Sequence, residues 1–182
     1  MKNHFSSFDN LIYRSLWIFV ILLCFTACKK KQPKLVFNLE TPGSEVVSYH
    51  DENTPQLVYF YKTDKNGNKT QEKIGVAEFF PNKQERLGGA LKNGKEEGKW
   101  YVFYQDGTVQ TEVSYMDGIQ HGVYNLYRED GKPLIKGHYD HGNCDGTWYW
   151  YDTNGKQIKK IKADANTVAC EYCPKCLALK KN

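Results

Sequence analysis

The sequence predicts an all-β protein, an elongated and twisted antiparallel sheet of stacked β-hairpins. A unit with a 24-residue period starts at Gly98, Gly122 and Gly146, and each copy places aromatic residues two and five positions after its glycine. Such a period is typical of a stacked array. Each copy also contains an Asp-Gly or Asn-Gly pair, which favours a hairpin turn, and the runs between turns are aromatic and β-branched rather than helical. The pairs are Asp106-Gly107, Asp130-Gly131 and Asn154-Gly155.

The first 27 residues are predicted to be a signal peptide. Lys2 and Arg14 make its beginning positive, and Leu16 to Phe25 form an apolar run of ten residues. A membrane span needs about 20 apolar residues, so this run is short for one and suits the core of a secretory signal. We therefore exclude residues 1–27 from the folded domain.

The end of this segment, Leu-Cys-Phe-Thr-Ala-Cys at residues 23–28, resembles the lipobox of bacterial lipoproteins. The resemblance implies cleavage before Cys28 and lipidation of that cysteine. Lys29 stands where the retention signal of inner-membrane lipoproteins has aspartate. We therefore expect a lipid anchor in the cell envelope, in the outer membrane and facing the periplasm. An uncleaved signal anchor with Cys28 as an ordinary thiol, or cleavage elsewhere to give a secreted protein, stays open.

The mature chain divides into three predicted parts. Residues 28–55, with their prolines and glycine, are expected to form a tether with one short strand at Leu35 to Leu39 and a turn at residues 41–44. Residues 56–164 are the repeat domain, opened by a hairpin around Asn66-Gly67-Asn68 and including a degenerate first copy at about 74–97. Residues 165–182 form a cysteine-rich tail.

Within a repeat, the sequence predicts two strands joined by a type I′ turn, which suits Asp-Gly because both central residues need positive φ. In the first clear copy these strands are Lys99 to Tyr104 and Val109 to Tyr115. The turn fixes the register, and a glycine is expected to lie opposite a tyrosine whose ring covers the bare backbone. The predicted pairs are Tyr104–Val109, Val102–Thr111, Trp100–Val113, Gly98–Tyr115, Leu126–Ile135, Tyr124–Gly137, Gly122–Tyr139, Trp148–Ile161 and Gly146–Ala163.

This pairing separates the aromatic residues into two faces. Trp100, Tyr124 and Trp148 share one face and are interpreted as ordinary sheet packing. The opposite face mixes aromatic rings with long polar side chains, so we expect it to be partly exposed and to bind a partner. The candidate partner-binding residues are Tyr101, Phe103, Tyr127, Tyr149 and Tyr151.

The Gly-x-Trp/Tyr-x-x-Phe/Tyr motif with its following Asp/Asn-Gly resembles the MORN-repeat variant family. The resemblance covers about residues 79–163, and the first copy departs from it where Ile74 replaces the glycine and Val76 the first aromatic. It implies a twisted antiparallel sheet of hairpins that binds proteins or lipids. Bacterial members are often described as YwqK-type antitoxins, so an antitoxin or immunity-type role is one alternative that the resemblance raises.

Cysteines near the C-terminus form the one local motif with chemical potential. Cys170, Cys173 and Cys176 are spaced Cys-x-x-Cys-x-x-Cys, and thiolates at this spacing can share a metal ion. Cys144 or His141 is a candidate fourth ligand if the tail folds back. An oxidising periplasm favours disulfides instead. Disulfides or idle thiols, a structural zinc site and redox activity all stay open, and no other cofactor is expected.

The remaining composition points away from catalysis and nucleic acid. The formal net charge of +4 comes from 25 basic and 21 acidic residues, and these are scattered, unlike a nucleic-acid-binding patch. No catalytic triad, zinc-protease, phosphate-loop or dinucleotide motif is present, and His121 and His141 are interpreted as turn residues. The sequence therefore favours a non-enzymatic binding or scaffold lipoprotein with a protein or envelope partner. A periplasmic thiol or metal-binding protein is the second alternative.

Overall fold

A computed structural model describes residues 33–163, so the signal peptide, Cys28 and the cysteines of the tail lie outside the described residues. Every regular element within 33–163 is a β-strand. The strands form one open antiparallel sheet in chain order, which confirms the predicted fold class. They are β1 (Ser44–Asp51), β2 (Thr54–Thr63), β3 (Lys69–Phe79), β4 (Glu85–Lys92), β5 (Lys95–Phe103), β6 (Val109–Met116), β7 (Ile119–Tyr127), β8 (Pro133–Asp140), β9 (Asn143–Tyr151) and β10 (Gln157–Lys162).

The predicted register inside the repeats is largely confirmed. In the first clear copy Trp100 lies opposite Val113 and Val102 opposite Thr111. A slip of one residue would move every side chain of a strand to the other face, so this agreement also fixes the two faces. Other confirmed pairs are Gly98–Tyr115, Leu126–Ile135, Tyr124–Gly137 and Gly122–Tyr139 and Trp148–Ile161.

The predicted type I′ turn at Asp106-Gly107 is wrong. Of these two residues only Gly107 has a positive φ, 83°, and its N–H donates to the carbonyl of Tyr104 over 2.9 Å. This is a three-residue loop, a type I turn followed by one left-handed residue. Because the loop is one residue longer than predicted, Phe103 rather than Tyr104 pairs with Val109.

Type I′ turns occur at the opposite ends of the strands, between one hairpin and the next. The first central residues of these two-residue turns are Asn93, Asp117 and His141, with φ of 52°, 51° and 45°, and a glycine follows each. Asparagine and aspartate are the usual non-glycine residues in this conformation. From β3 to β10 the sheet therefore has wide turns along one side and tight turns along the other.

The glycines that start the repeats do not serve the predicted purpose. Gly98, Gly122 and Gly146 have φ of 69°, 103° and 64°, and each lies where pairing with the preceding strand shifts register. They form β-bulges, in which glycine takes a conformation that other residues rarely adopt. Nothing stands within 4 Å of a Cβ built at Gly98 or Gly146, so no tyrosine ring covers them.

Indole rings instead cover two other glycines. A Cβ at Gly89 would stand 2.5 Å from the ring of Trp100, and one at Gly137 would stand 2.3 Å from the ring of Trp148. Each tryptophan therefore lies flat on the backbone of the preceding strand, where any larger residue would displace it.

The sheet begins at Ser44 rather than at residue 56, so the predicted tether is wrong for residues 44–55. The predicted strand at residues 35–39 is also absent, whereas the turn at residues 41–44 is confirmed by the hydrogen bond from Ser44 N–H to the Thr41 carbonyl, 3.1 Å. Residues before the sheet pack onto it: the ring of Phe37 stacks on Phe60 with centroids 5.0 Å apart. Leu35 and Phe37 belong to a buried cluster of the sheet, so packing holds this segment in place. The amino-acid composition alone does not reveal that packing.

Two buried clusters lie on opposite faces of the sheet. The first, on the face of Trp148, is built from the repeats, and its buried members are Val113, Tyr124, Ile135, Tyr139, Trp148 and Ala163. The second is on the other face towards β1–β6, and its buried members are Leu35, Val58, Phe60, Ala77, Phe79, Phe103 and Val109.

Candidate functional site

The face opposite Trp100, Tyr124 and Trp148 carries the candidate residues, and we call it the tyrosine face. Tyr101, Tyr127, Tyr149 and Tyr151 are all half-buried there. Tyr101 and Tyr127 pack against the second buried cluster. Cross-strand register places four of the five predicted residues on an accessible surface.

Phe103 does not belong to this accessible surface. Its side chain is 4% exposed and forms part of the second buried cluster. The predicted face was correct, but residues of β2 and β3 and the segment before the sheet cover it. Phe103 is therefore a packing residue.

A polar row runs across the tyrosine face over six strands. Tyr101 of β5 pairs with Glu112 of β6, and Glu112 pairs with Asn125 of β7. Asn125 pairs with Lys136 of β8, which in turn pairs with Tyr149 of β9. Lys160 of β10 completes the row opposite Tyr149. Directly opposed side chains in a sheet interact, so the row is a continuous strip of hydrogen-bonding groups.

Glu112 is the electrostatic centre of this row. Its carboxylate accepts hydrogen bonds from Lys99 Nζ at 2.7 Å and Asn125 Nδ2 at 2.9 Å. Burial acts to raise the pKa of Glu112, but these two hydrogen bonds and the charge of Lys99 outweigh it, and the pKa is lowered. Burial, reinforced by the Glu112 charge, raises the pKa of Tyr101 and of Tyr127. Tyr101 and Tyr127 therefore keep their hydroxyl protons and can donate hydrogen bonds to a partner.

Hydrogen bonds between consecutive wide turns hold the backbone under the tyrosines. The hydroxyl of Tyr104 donates to the carbonyl of Tyr127 over 2.9 Å. One repeat later the guanidinium of Arg128 donates to the carbonyl of Tyr151 over 3.2 Å. Nζ of Lys136 also lies 5.8 Å from the centroid of the Tyr151 ring, within the range of a cation–π contact. These contacts make the tyrosine face a rigid surface.

A shallow groove of about 380 Å³ opens beside the wide turns of the first clear repeat. Arg86 and Glu129 line it together with Phe103 and Tyr104. The groove therefore combines one positive and one negative side chain with two aromatic rings. These groups are of the kinds that contact a side chain of a binding partner.

Both edge strands resist pairing with another strand. β1 has three register shifts along its pairing with β2, and β10 carries Lys159, Lys160 and Lys162. Bulges and lysines on edge strands prevent edge-to-edge association. Recognition by the faces is therefore favoured over addition of a partner strand.

Cys144 is the one member of the predicted cysteine set within the described residues. It is half-buried on β9, opposite Tyr139, and packs against the first buried cluster. Its partnership with the tail remains a prediction, because Cys170, Cys173 and Cys176 lie outside the described residues.

The structure also brings together side chains that the sequence interpretation kept separate. His121, Asp140 and His141 come from two strands and a tight turn, and their ligand atoms lie within 4.8 Å of one another. Sequence reasoning did not group these three residues, because they match no known spacing of metal ligands. They become neighbours only through the register of β7 and β8.

Comparison of the chain with known protein families, with curated proteins and with solved structures found no match. Among residues 33–163 there is no helix with the length and hydropathy needed to cross a membrane.

Proposed function

We propose that this protein is a lipid-anchored, non-enzymatic binding module whose tyrosine face captures a protein or envelope partner. The observation that carries the proposal is the alignment of Tyr101, Tyr127, Tyr149 and Tyr151 on one face of the sheet, where each is half-buried. Tyrosine is enriched at binding surfaces because a large ring and one hydroxyl lose little entropy on binding.

The charges on this face define the chemistry of the partner. Lys136 and Lys160 flank Tyr149 in the polar row, while the carboxylate of Glu112 is already occupied by Lys99 and Asn125. The unmatched charge around Tyr149 is therefore positive. A partner with acidic groups beside aromatic or apolar ones complements it.

The lipidated Cys28 would restrict the module to a membrane surface. Diacyl anchoring is stable because each buried CH₂ contributes about 0.8 kcal/mol. Cells grown with radiolabelled palmitate should incorporate the label into this protein, and replacing Cys28 with alanine should abolish that incorporation. Absence of label from the unchanged protein, or equal labelling of the Cys28→Ala protein, would contradict the lipid anchor. The binding face has its own experiment.

The binding face is tested by Tyr149→Ser together with Tyr151→Ser in the full chain, expressed in its own cell envelope. Chemical cross-linking followed by mass spectrometry should show loss of one or more adducts of the unmodified protein. The matched control is Tyr59→Ser with Tyr61→Ser. These tyrosines are half-buried on β2 and each lies beneath a lysine, with Lys73 Nζ 3.8 Å from the Tyr59 ring centroid and Lys69 Nζ 4.8 Å from that of Tyr61.

Loss of adducts in the β9 variant alone supports the proposal. The proposal would be contradicted if the Tyr149/Tyr151 variant gave the same adducts as the unmodified protein. It would also be contradicted if the Tyr59/Tyr61 control lost adducts to the same extent. The antitoxin and thiol alternatives stay predictions from the sequence. Growth rescue against a neighbouring toxin tests the first, and reduction of the tail cysteines tests the second.

A further inference from the structure

Three histidines and two aspartates gather at the tight-turn ends of β7, β8 and β9. The rings of His121 and His141 have centroids 4.9 Å apart, and those of His121 and His138 are 6.4 Å apart. Asp140 lies between the first pair, and Asp145 lies beside His138. The register explains the cluster, since His138 pairs with Val123 on one side and with Asp145 on the other.

One carboxylate oxygen is the centre of this cluster. Oδ1 of Asp140 lies 2.6 Å from Nδ1 of His141 and 3.2 Å from Nδ1 of His121. All three ligand atoms fall within 4.8 Å of one another. Zinc binds imidazole nitrogen and carboxylate oxygen at about 2.0–2.2 Å, so small rotations of these surface side chains suffice to place one ion between them.

Two imidazole nitrogens in the cluster have no hydrogen-bond partner. Nδ1 of His121 and Nδ1 of His138 are both shielded from solvent, and neither makes a hydrogen bond with acceptable geometry. Their nearest carboxylates stand at 3.2 Å and 3.4 Å. Shielded polar atoms without partners are uncommon and costly. A cation bound beside His121 would satisfy its lone pair.

The repeat itself does not require these residues. One period earlier, the positions of His121, Asp140 and His141 are occupied by Glu97, Met116 and Asp117. The backbone there has the same tight turn, with φ of 51° at Asp117. The sheet thus forms the turn without an imidazole, and the histidines are an addition particular to the β7–β9 interface.

We propose that His121, Asp140 and His141 bind a divalent transition-metal ion, with Zn²⁺ as the representative. Two imidazoles and one carboxylate suit Zn²⁺, Co²⁺ or Ni²⁺, whereas Ca²⁺ and Mg²⁺ prefer all-oxygen sites. The side chains of His141 and Asp140 are 61% and 55% exposed, so water completes the coordination and the ion exchanges with solvent. By the register of β7 and β8 this site lies on the same side of the sheet as Asn125 and Lys136, at the tight-turn ends of the strands.

Titration with CoCl₂ and ZnCl₂ tests the site in the full mature chain. To remove competition from thiols, a variant with Cys144, Cys170, Cys173 and Cys176 replaced by serine is titrated in parallel. Binding of one Co²⁺ should persist in that variant, without the near-ultraviolet absorption of cobalt–thiolate bonds. Excess Zn²⁺ should raise its Tm by about 5 °C, because an ion that binds only the folded state stabilises it.

Two substitutions locate the ion, and the second is chosen to preserve the turn. His121→Ala removes one ligand, and His141→Asn removes the other while placing in the turn the residue that Asn93 already supplies there. Each should weaken Co²⁺ binding at least 10-fold, and His141→Asn should leave the metal-free Tm unchanged or higher. The matched control, Glu97→Gln with Asp117→Asn one repeat earlier, should bind Co²⁺ normally.

Absence of Co²⁺ binding in the variant with the four serine replacements would overturn the proposal. So would unchanged binding in His121→Ala and His141→Asn, or an equal loss in the Glu97/Asp117 control.

Discussion

Replacement of Gly137 by alanine tests whether the cluster around Trp148 is packed like the interior of a protein. The backbone at Gly137 does not need positive φ, so the test is purely steric. The new Cβ would stand 2.3–2.5 Å from three atoms of the Trp148 indole. That indole is 1% exposed, and the rings of Tyr139 and Tyr124 hold it with centroids 5.1 and 5.6 Å away.

Because the Trp148 ring has no route into solvent, the ring or the strand must shift. Overpacking a core costs about 1–3 kcal/mol, and the enclosure of Trp148 puts Gly137→Ala near the upper end, at about 3 kcal/mol. Gly89→Ala is the matched comparison, since its Cβ would stand 2.5 Å from the Trp100 ring. Trp100 is only half-buried and can tilt outwards, at the cost of the hydrogen bond from its Nε1 to the Ala90 carbonyl, 3.1 Å. Losing such a bond costs about 1 kcal/mol.

Equilibrium urea unfolding, followed by circular dichroism, measures both variants. We expect a lower midpoint at constant m-value, with the loss for Gly137→Ala about twice or more that for Gly89→Ala. Adding Trp148→Leu to Gly137→Ala should show favourable coupling, because the smaller side chain leaves room for the methyl group. Equal losses in the two alanine variants, or additivity in the double variant, would refute the argument that Trp148 is confined.

Three further predictions concern single positions. Lys83 has φ of 66° in the wide turn where later repeats have glycine, so Lys83→Gly should raise the free energy of unfolding by about 0.5–1 kcal/mol in urea unfolding; a loss would contradict the strain argument. Phe103→Ala should lower the free energy of unfolding by about 3–5 kcal/mol, as expected for a buried ring. Tyr151→Ala should cost less than half as much by the same measurement, and equal costs would mean that Tyr151 is a core residue too. The lowered pKa of Glu112 adds stability that is present above the unfolded-state pKa of about 4.3 and is lost as pH falls through the lower folded-state value; Glu112→Gln should flatten this acid limb in urea midpoints measured from pH 6 to pH 3, and an unchanged slope would exclude the contribution.

The repeat made the fold and most of the register predictable, because spacing alone assigns Trp100, Tyr124 and Trp148 to one face. The turn type was not predictable from Asp106-Gly107. The same dipeptide forms a type I′ turn at Asp117-Gly118, where two residues connect the strands, and a longer loop at Asp106-Gly107, where three do. Loop length depends on which flanking residues pair, and this is a property of the whole sheet rather than of the dipeptide.

Burial of Phe103 was unpredictable for a related reason. Its equivalents Tyr127 and Tyr151 occupy the same position in their repeats but remain half-buried. The difference comes from residues outside the repeat, among them Leu35 and Phe60, which share its buried cluster. A repeat predicts the contacts between neighbouring copies, and it carries no information about segments that cover only one end of the array.

The position of the candidate binding face follows from how β6–β10, which no other described segment covers as a second layer, bury their aromatic rings. In β6–β10 the large side chains Tyr124, Tyr139 and Trp148 pack on one another and on glycine, so that face satisfies its own apolar surface. On the opposite face of the same strands, Val109 is the one member of the second buried cluster among the described residues, and the tyrosines alternate with the half-buried polar residues Glu112, Asn125 and Lys136. Rings held between polar groups can be buried by a partner without first breaking packing within the protein. The face of Trp148 therefore stabilises the sheet, and the tyrosine face retains the accessible aromatic surface that binding requires.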